Sequence, residues 1–320
     1  MRIRAANIRD VGRIEQIYRE GGEQMSEAVP PARLWSLLSH TLSALLPLAQ
    51  ETLLYVGEEE GRLLGFVQAA GEPLGISLTG ARTLQVLNLC VAGGAEPEEV
   101  AVPLVEHLCG QALAKGVHRI FVRLPLDDAL TPVFRMQGFR QYATEQVLYS
   151  EEPRPSVGSE GPAGLRSARG RDARHLYHLY RKVTPMGVAQ VEAPTYRDWR
   201  SLTGDWTLRP GGADAEEMVV ERVELVAWLK LQRSSATRPH RLSYLVLPED
   251  HLPYELAEYS LSLLGSRPAA AWASIRHYDS PMLEALRSRG FSILLTQALM
   301  VKELAVRVPV REKGLVPSFG

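Results

Sequence analysis

The sequence predicts an α/β protein built as two tandem units, residues 1–150 and 165–310, with a linker at 151–164 and a tail at 311–320. Three observations carry that prediction. A helix-like run stops on Gly-Phe at "FRMQGFR" and stops the same way at "LRSRGFS". The openings "RAANIRDVGRIEQIYR" and "RSARGRDARHLYHLYR" match at Arg4/Arg166, Ala6/Ala168, Arg9/Arg171, Asp10/Asp172, Tyr18/Tyr180 and Arg19/Arg181. Between the two lies "EEPRPSVGSEGPAG", which has almost nothing to bury and has the composition of an exposed linker. A chain of 320 residues suits two cores of about 150 residues each.

Each unit opens with a short strand and a helix. Ile14 and Ile17, and Leu176 and Leu179, recur at the three-residue spacing of a helix face packed on a core. Asp10 and Asp172 stand where an N-cap accepts from free backbone N–H groups, a contribution of about 1 kcal/mol. Strand-like runs follow, "ETLLYVGEE", "GRLLGFVQAA" and "TLQVLNLCVA" in the first unit, "EEMVVER", "ELVAWLKLQRS" and "RLSYLVLP" in the second. A helix comes next, "EEVAVPLVEHLCGQALAKG" or "PYELAEYSLSLLGS", then a strand, "HRIFVRLPL" or "AAWASIRHY". The last helix closes on Gly138 or Gly290, residues free to adopt the left-handed conformation, and Phe139 or Phe291 then enters the final strand facing inward.

Composition excludes several classes. With 45% apolar and 23% charged residues and a net charge of -1, the chain has no bulk attraction to nucleic acid or to an acidic membrane surface. The start "MRIRAANIRD" is charged where a secretory signal needs an apolar run, and "LWSLLSHTLSALLPLAQ" is interrupted by Ser, His and Gln, so a soluble, cytoplasmic protein is expected. Two cysteines, Cys90 and Cys109, supply neither a disulfide framework nor a thiolate zinc site and read as core packing. His175 and His178 lie one helical turn apart, but their counterparts in the first unit are Arg13 and Gln16, so the pair reads as a solvent face and no metal is expected. Trp199, Trp206, Trp228 and Trp272 occur singly without interleaved basic residues, and Arg119 with Arg123 forms too short a stretch for a nucleic-acid footprint.

The order strand, helix, three strands, helix, strand, helix ending in Gly-Phe, strand resembles the GCN5-related N-acetyltransferase family, once per half. "VFRMQGFR", "LRSRGFSI" and "IRDVGRIEQIY" are its strongest local signals. The resemblance implies, for each half, a mixed, mostly antiparallel sheet flanked by helices, with acetyl-CoA in a cleft where strands 4 and 5 splay apart. It also implies a pyrophosphate held by backbone N–H groups at the start of helix 3, in a run of Gln or Arg, two residues, Gly, one residue, Gly or Ala. Small residues there let the backbone approach the phosphates.

This chain departs from that pattern. In "VAGGAEPEEVAVPLV" Glu96 takes the Gln or Arg position and Glu99 the central Gly, with Gly93 and Gly94 just upstream. The run Pro97-Glu98-Glu99 is also an ordinary helix start. The second half reads "LPEDHLPYELAEY", with no glycine and with Glu249, Asp250 and Glu255 around Pro253. Where many family members carry a Tyr that protonates the thiolate, this chain has Phe134 and Leu286; where an Asn precedes it, Asp128 and Ser280 stand, each able to cap a helix or to touch cofactor.

If a cofactor binds, the resemblance assigns it to the backbone of Leu89, Cys90, Val91, Ala92, Gly93 and Gly94, with Asp128 beside it, and Gly94→Glu is expected to weaken acetyl-CoA binding. No general base emerges; Asn88, Glu145 and Tyr244 are the candidates for cleft residues, with Gln85 the other polar residue of strand 4. Two functions stay open. One is acetyl transfer from acetyl-CoA to a small-molecule or peptide amine, in the first half; the other is a binding or scaffold protein without activity.

Overall fold

The computed structural model describes residues 1–26, 52–71, 82–153, 160–202, 215–233, 239–249, 251–264 and 270–304. Outside them fall the apolar run at 34–50, the middle of the linker, Trp206, Asp250 and the tail.

The first half runs β1 (Arg2–Ala5), α1 (Val11–Ser26), β2 (Thr52–Glu59), β3 (Arg62–Gly71), β4 (Arg82–Val91), α2 (Pro97–Ala114), β5 (Val117–Pro125), α3 (Thr131–Met136) and β6 (Arg140–Ser150). The second repeats the plan as β7 (Leu165–Ser167), α4 (Ala173–Val183), two short helices α5 (Met186–Glu192) and α6 (Tyr196–Leu202), β8 (Ala215–Glu221), β9 (Leu225–Gln232), β10 (His240–Val246), α7 (Leu252–Ser262), β11 (Ala271–Arg276), α8 (Ser280–Ser288) and β12 (Ser292–Glu303).

The repeated openings fold alike. Arg4 donates from Nη1 and Nη2 to the two carboxylate oxygens of Asp10 at 2.7 and 2.9 Å and from Nε to Glu58 at 2.8 Å. Arg166 grips Asp172 at 2.8 and 3.0 Å and reaches Glu221 in the same way. The aspartates also accept from the backbone N–H of Asn7 and Arg169, both at 2.8 Å, so each ties the first strand to the turn that starts the helix. Gly138 and Gly290 have φ of 80° and 92°, and Phe139 and Phe291 donate back to Phe134 and Leu286 at 3.0 and 3.3 Å. Those bonds close the helix, and the two phenylalanines are 4% exposed, inside the two main cores.

Where the sequence leads one to expect two sheets, the strands form one, in the order β1-β2-β3-β4-β5-β12-β6-β11-β10-β9-β8-β7. The last strands are exchanged. β12 lies antiparallel between β5 and β6, and β6 lies antiparallel between β12 and β11. Each final strand thus has a partner on both edges, and no edge is left exposed at the junction. On one face α2 and α3 cover the first half and α7 and α8 the second. The other face carries α1 on β2 and β3, and α4 and α6 on β8 and β9, while α5 sits over the central strands through Val188 and Val191. Gly65 permits the close seat of α2, since a Cβ there would meet Val100 Cγ1 at 2.8 Å. No helix among the described residues is long and apolar enough to cross a membrane.

Candidate functional site

β4 and β5 run parallel and pair only from Arg82 with Val117 to Gln85 with Phe121. β4 nevertheless continues to Val91, held on its other edge by β3 as far as Gly65. Beyond Gln85, therefore, its backbone N–H and C=O groups on the β5 side have no partner strand among the described residues. Along this stretch Gln68 faces Asn88 and Ala69 faces Val86, leaving Leu87 as an extra, bulged residue of β4. The second half opens in the same place, for β10 and β11 pair only from His240 with Ala271 to Leu242 with Ala273 while β10 continues to Val246.

The open edge of β4 leads into the turn Ala92–Glu96. Gly94 has φ of 83°, Ala95 donates to the Ala92 carbonyl at 3.2 Å, and α2 starts at Pro97 with no side-chain cap from Glu96. A Cβ placed on Gly93 or Gly94 meets nothing within 4 Å. Glu96, Glu98 and Glu99 are exposed, so their carboxylates stand in water around the first turn. In the second half the matching turn has no glycine, Glu249 pairs with Arg222 at 3.7 Å, and Leu252 donates to the Glu249 carbonyl at 3.1 Å.

Leu89, Cys90 and Val91 belong to the open edge of β4, and Ala92, Gly93 and Gly94 to the turn. Asn88 lies on the strand just below, donating from Nδ2 to Gln68 Oε1 at 2.7 Å. Asp128 accepts from the Leu130 N–H at 2.8 Å, the bond of a residue that turns the chain into α3. Ser280 opens α8 and is exposed; the residue at the cap is Asp279, whose carboxyl is pushed up to about 6 by burial, opposed by the Met282 N–H. Phe134 and Leu286 are 0% exposed and packed in the cores, Phe134 edge-on to Phe139 at 5.1 Å. Neither half has a hydroxyl at that position. Tyr244 turns toward α7, its hydroxyl 2.7 Å from Ser260 Oγ and its pKa raised by burial. His175 and His178 are exposed.

Glu145 lies elsewhere, at the centre of the junction, 3% exposed. Gln297 Nε2 donates to its Oε1 at 2.7 Å, Arg123 Nε lies 3.3 Å from Oε1, and Arg276 Nε lies 3.4 Å from Oε2. Arg276 also donates from Nη2 to Glu192 at 2.7 Å, and Glu192 accepts from the hydroxyls of Tyr142 and Tyr180 at 3.0 and 3.1 Å. Burial pushes the Glu145 carboxyl up, but Arg123, Arg276 and Arg241, with the Gln297 bond, outweigh it and hold the group below the usual carboxylate range. A carboxylate fixed as an anion between guanidinium groups is a weak proton acceptor. Burial, and then the charge of Glu192, raise the hydroxyls of Tyr142 and Tyr180, which stay protonated as donors. Asn88, Glu145 and Tyr244 thus stand in three separate surroundings.

Sequence reasoning passed over Gln68, Gln297, Arg276 and Glu192. Gln68 and Gln297 were visible as amides inside apolar strand runs; Arg276 and Glu192 meet only through the tertiary fold.

Solved structures share this architecture. A tandem GNAT protein from the clavulanic acid biosynthesis pathway superposes with a TM-score of 0.55 at 14% identity, over 94% of this chain and 98% of that one. A GCN5-related N-acetyltransferase from Sphaerobacter thermophilus gives a TM-score of 0.60 at 14% identity, over 94% and 95%. A GCN5-related glucosamine N-acetyltransferase region of a fungal multi-domain GH3 β-N-acetylglucosaminidase gives 0.60 at 12% identity, over 94% of this chain and 38% of that one. No protein-family profile matches the sequence, and no curated protein matches it. The chain has the fold of the GCN5-related N-acetyltransferases, in two tandem copies.

Proposed function

We propose that the chain is an acyl-CoA-dependent N-acyltransferase that moves an acetyl group from acetyl-CoA to the amine of a small molecule or peptide, in the gap of the first half. One observation carries the reading: the unpaired edge of β4 beyond Gln85 runs straight into the open Gly93-Gly94 turn at the head of α2. The cofactor, when bound, supplies the activated thioester. Backbone groups from Val86 to Val91 would offer alternating donors and acceptors to its amide-bearing arm, and a backbone N–H near the Leu87 bulge would bind the developing oxyanion. The N–H groups of Gly93, Gly94 and the first turn of α2 would hold its phosphates. Asn88 orients the amine or a water but cannot take a proton at neutral pH, so the proton leaves through water. The second half is the weaker bearer of this chemistry because its turn has no glycine and Glu249 is already paired.

A non-enzymatic reading, a fold kept for binding a partner, is favoured by Phe134 and Leu286, apolar and buried at the position from which a hydroxyl would protonate the thiolate. Release of free thiol from acetyl-CoA in the presence of a panel of primary amines separates the two. The expected result is amine-dependent release that Gly93→Glu weakens. Saturable acetyl-CoA binding without release on any amine contradicts the enzymatic reading.

A further inference from the structure

The first half buries polar atoms that none of the described residues satisfies. Gln68 on β3 is 0% exposed, its Oε1 is occupied by Asn88, and its Nε2 has no hydrogen-bond partner. Thr52 on β2 buries its Oγ1 in the same condition. The two share a face, because Leu54 pairs with Gln68 and Thr52 with Ala70, two residues along each strand. That face is the one under α1, where Leu54 and Phe66 pack, whereas Val67 and Ala69 turn to the α2 side. Thr52, Gln68 and Asn88 therefore form a polar strip crossing β2, β3 and β4 and ending beside the gap. Reversing both amides keeps their mutual bond and leaves the Gln68 oxygen unpaired instead, so the strip lacks a partner under either assignment.

Buried polar groups in folded chains are nearly always paired, and an orphan destabilises the fold that holds it. The second half provides the control. Lys230 faces Ser243 as Gln68 faces Asn88, and it pairs at 3.1 Å with Glu217, which stands where the first half has Leu54. There the strip is closed by its own ion pair; in the first half no described residue closes it.

We infer that Gln68, with Thr52 beside it, positions the acyl acceptor, and that the acceptor presents a neutral hydroxyl or amide group at this strip. The inference rests on the acyl-transfer reading above. The strip lies on the face opposite α2, so the acceptor's polar group would lie on the α1 side of the sheet. Its neutral character follows from the strand neighbours: Leu54, Phe66, Ala70 and Asn88 carry no charge, and an ionised group buried among them would find no counter-charge on these described strand residues. The reacting amine itself would lie at the gap.

The test uses the full chain with Gln68→Leu and, separately, Thr52→Val, each deleting polar atoms at nearly constant volume. Melting temperature, acetyl-CoA affinity, and KM and kcat are measured for two series of primary amines, one bearing hydroxyl or amide groups and one plain alkyl. The melting temperature is expected to hold or rise for Thr52→Val and to fall by no more than the lost Asn88 bond for Gln68→Leu, and acetyl-CoA affinity to stay the same. KM for the polar series should rise about tenfold for one lost hydrogen bond, with kcat little changed and the alkyl series unaffected. A lower melting temperature with unchanged KM, or equal effects on both series, overturns the inference. If the chain binds acetyl-CoA but turns over no amine, or binds none, the acyl-transfer reading fails. Binding of the two series followed by saturation-transfer NMR then decides the strip: Gln68-dependent binding of the polar amines supports it, and its absence overturns it.

Discussion

Gln297 donates from Nε2 to Glu145 Oε1 at 2.7 Å across β12 and β6, and the two residues are 152 positions apart, the spacing that also separates Gly138 from Gly290. They are the same position in the two copies. The local twofold of the duplication passes between them, and the exchange of β6 and β12 is what brings them together. Two glutamates there would oppose like charges at contact; one Glu and one Gln make a donor and an acceptor. The copies have diverged at the point where they touch.

Glu145→Gln should destabilise the chain by about 3 kcal/mol, the low end for breaking a buried pair, because Arg123 is half exposed and keeps its water. The wild-type carboxyl titrates lower in the folded chain than in the unfolded one. Its contribution is therefore complete above an unfolded value of about 4.3 and is lost as pH falls through the lower folded value. Chemical denaturation from pH 7 downward should show a shallower acid limb in the variant than in wild type.

Asp279 should behave in the opposite sense. Burial holds its carboxyl at about 6, above the unfolded value. The folded state then binds the extra proton, and stability declines as pH rises from about 3.9, the unfolded value, through the folded one. Asp279→Asn, which can still accept from the Met282 N–H, should melt higher than wild type at pH 7 and converge with it near pH 4. Thermal melts across that range check the sign.

Because the final strands are exchanged, the halves should unfold together. Asp10→Asn and Asp172→Asn break equivalent ion pairs in different halves, each costing about 1.5 to 3 kcal/mol as hydrogen bonds to charged groups. Both should lower one and the same melting transition, observed by calorimetry. Two separable transitions, each moved by one variant, would mean that the junction does not couple the copies.

The order of strands and helices was legible because apolar periodicity, the Gly-Phe endings and the repeated Arg-Asp openings are local. The strand exchange was not. β6 and β12 are copies of one strand with matching inward and outward patterns, so a swap leaves every residue on its proper face and no trace in the sequence. That Asn88 lies on β4 and that Gly93-Gly94 precede α2 could be read in advance, since both follow from the order of elements. Arg276 and Glu192 meet through a contact spanning 84 residues. Gln68 was visible as an amide in "GRLLGFVQAA", but that its Nε2 lacks a partner among the described residues is a property of the packed sheet alone.

The most direct measurement is calorimetric titration of wild type and Gly93→Glu with acetyl-CoA. The structure recommends Gly93 over Gly94, whose φ of 83° would strain any side chain, whereas a side chain at Gly93 meets open space and leaves the fold intact. Binding at one site per chain, weakened about tenfold or more by the new carboxylate beside the phosphates, is the predicted result. No saturable binding, or the same affinity in both proteins, would contradict the placement of the cofactor in the first-half gap.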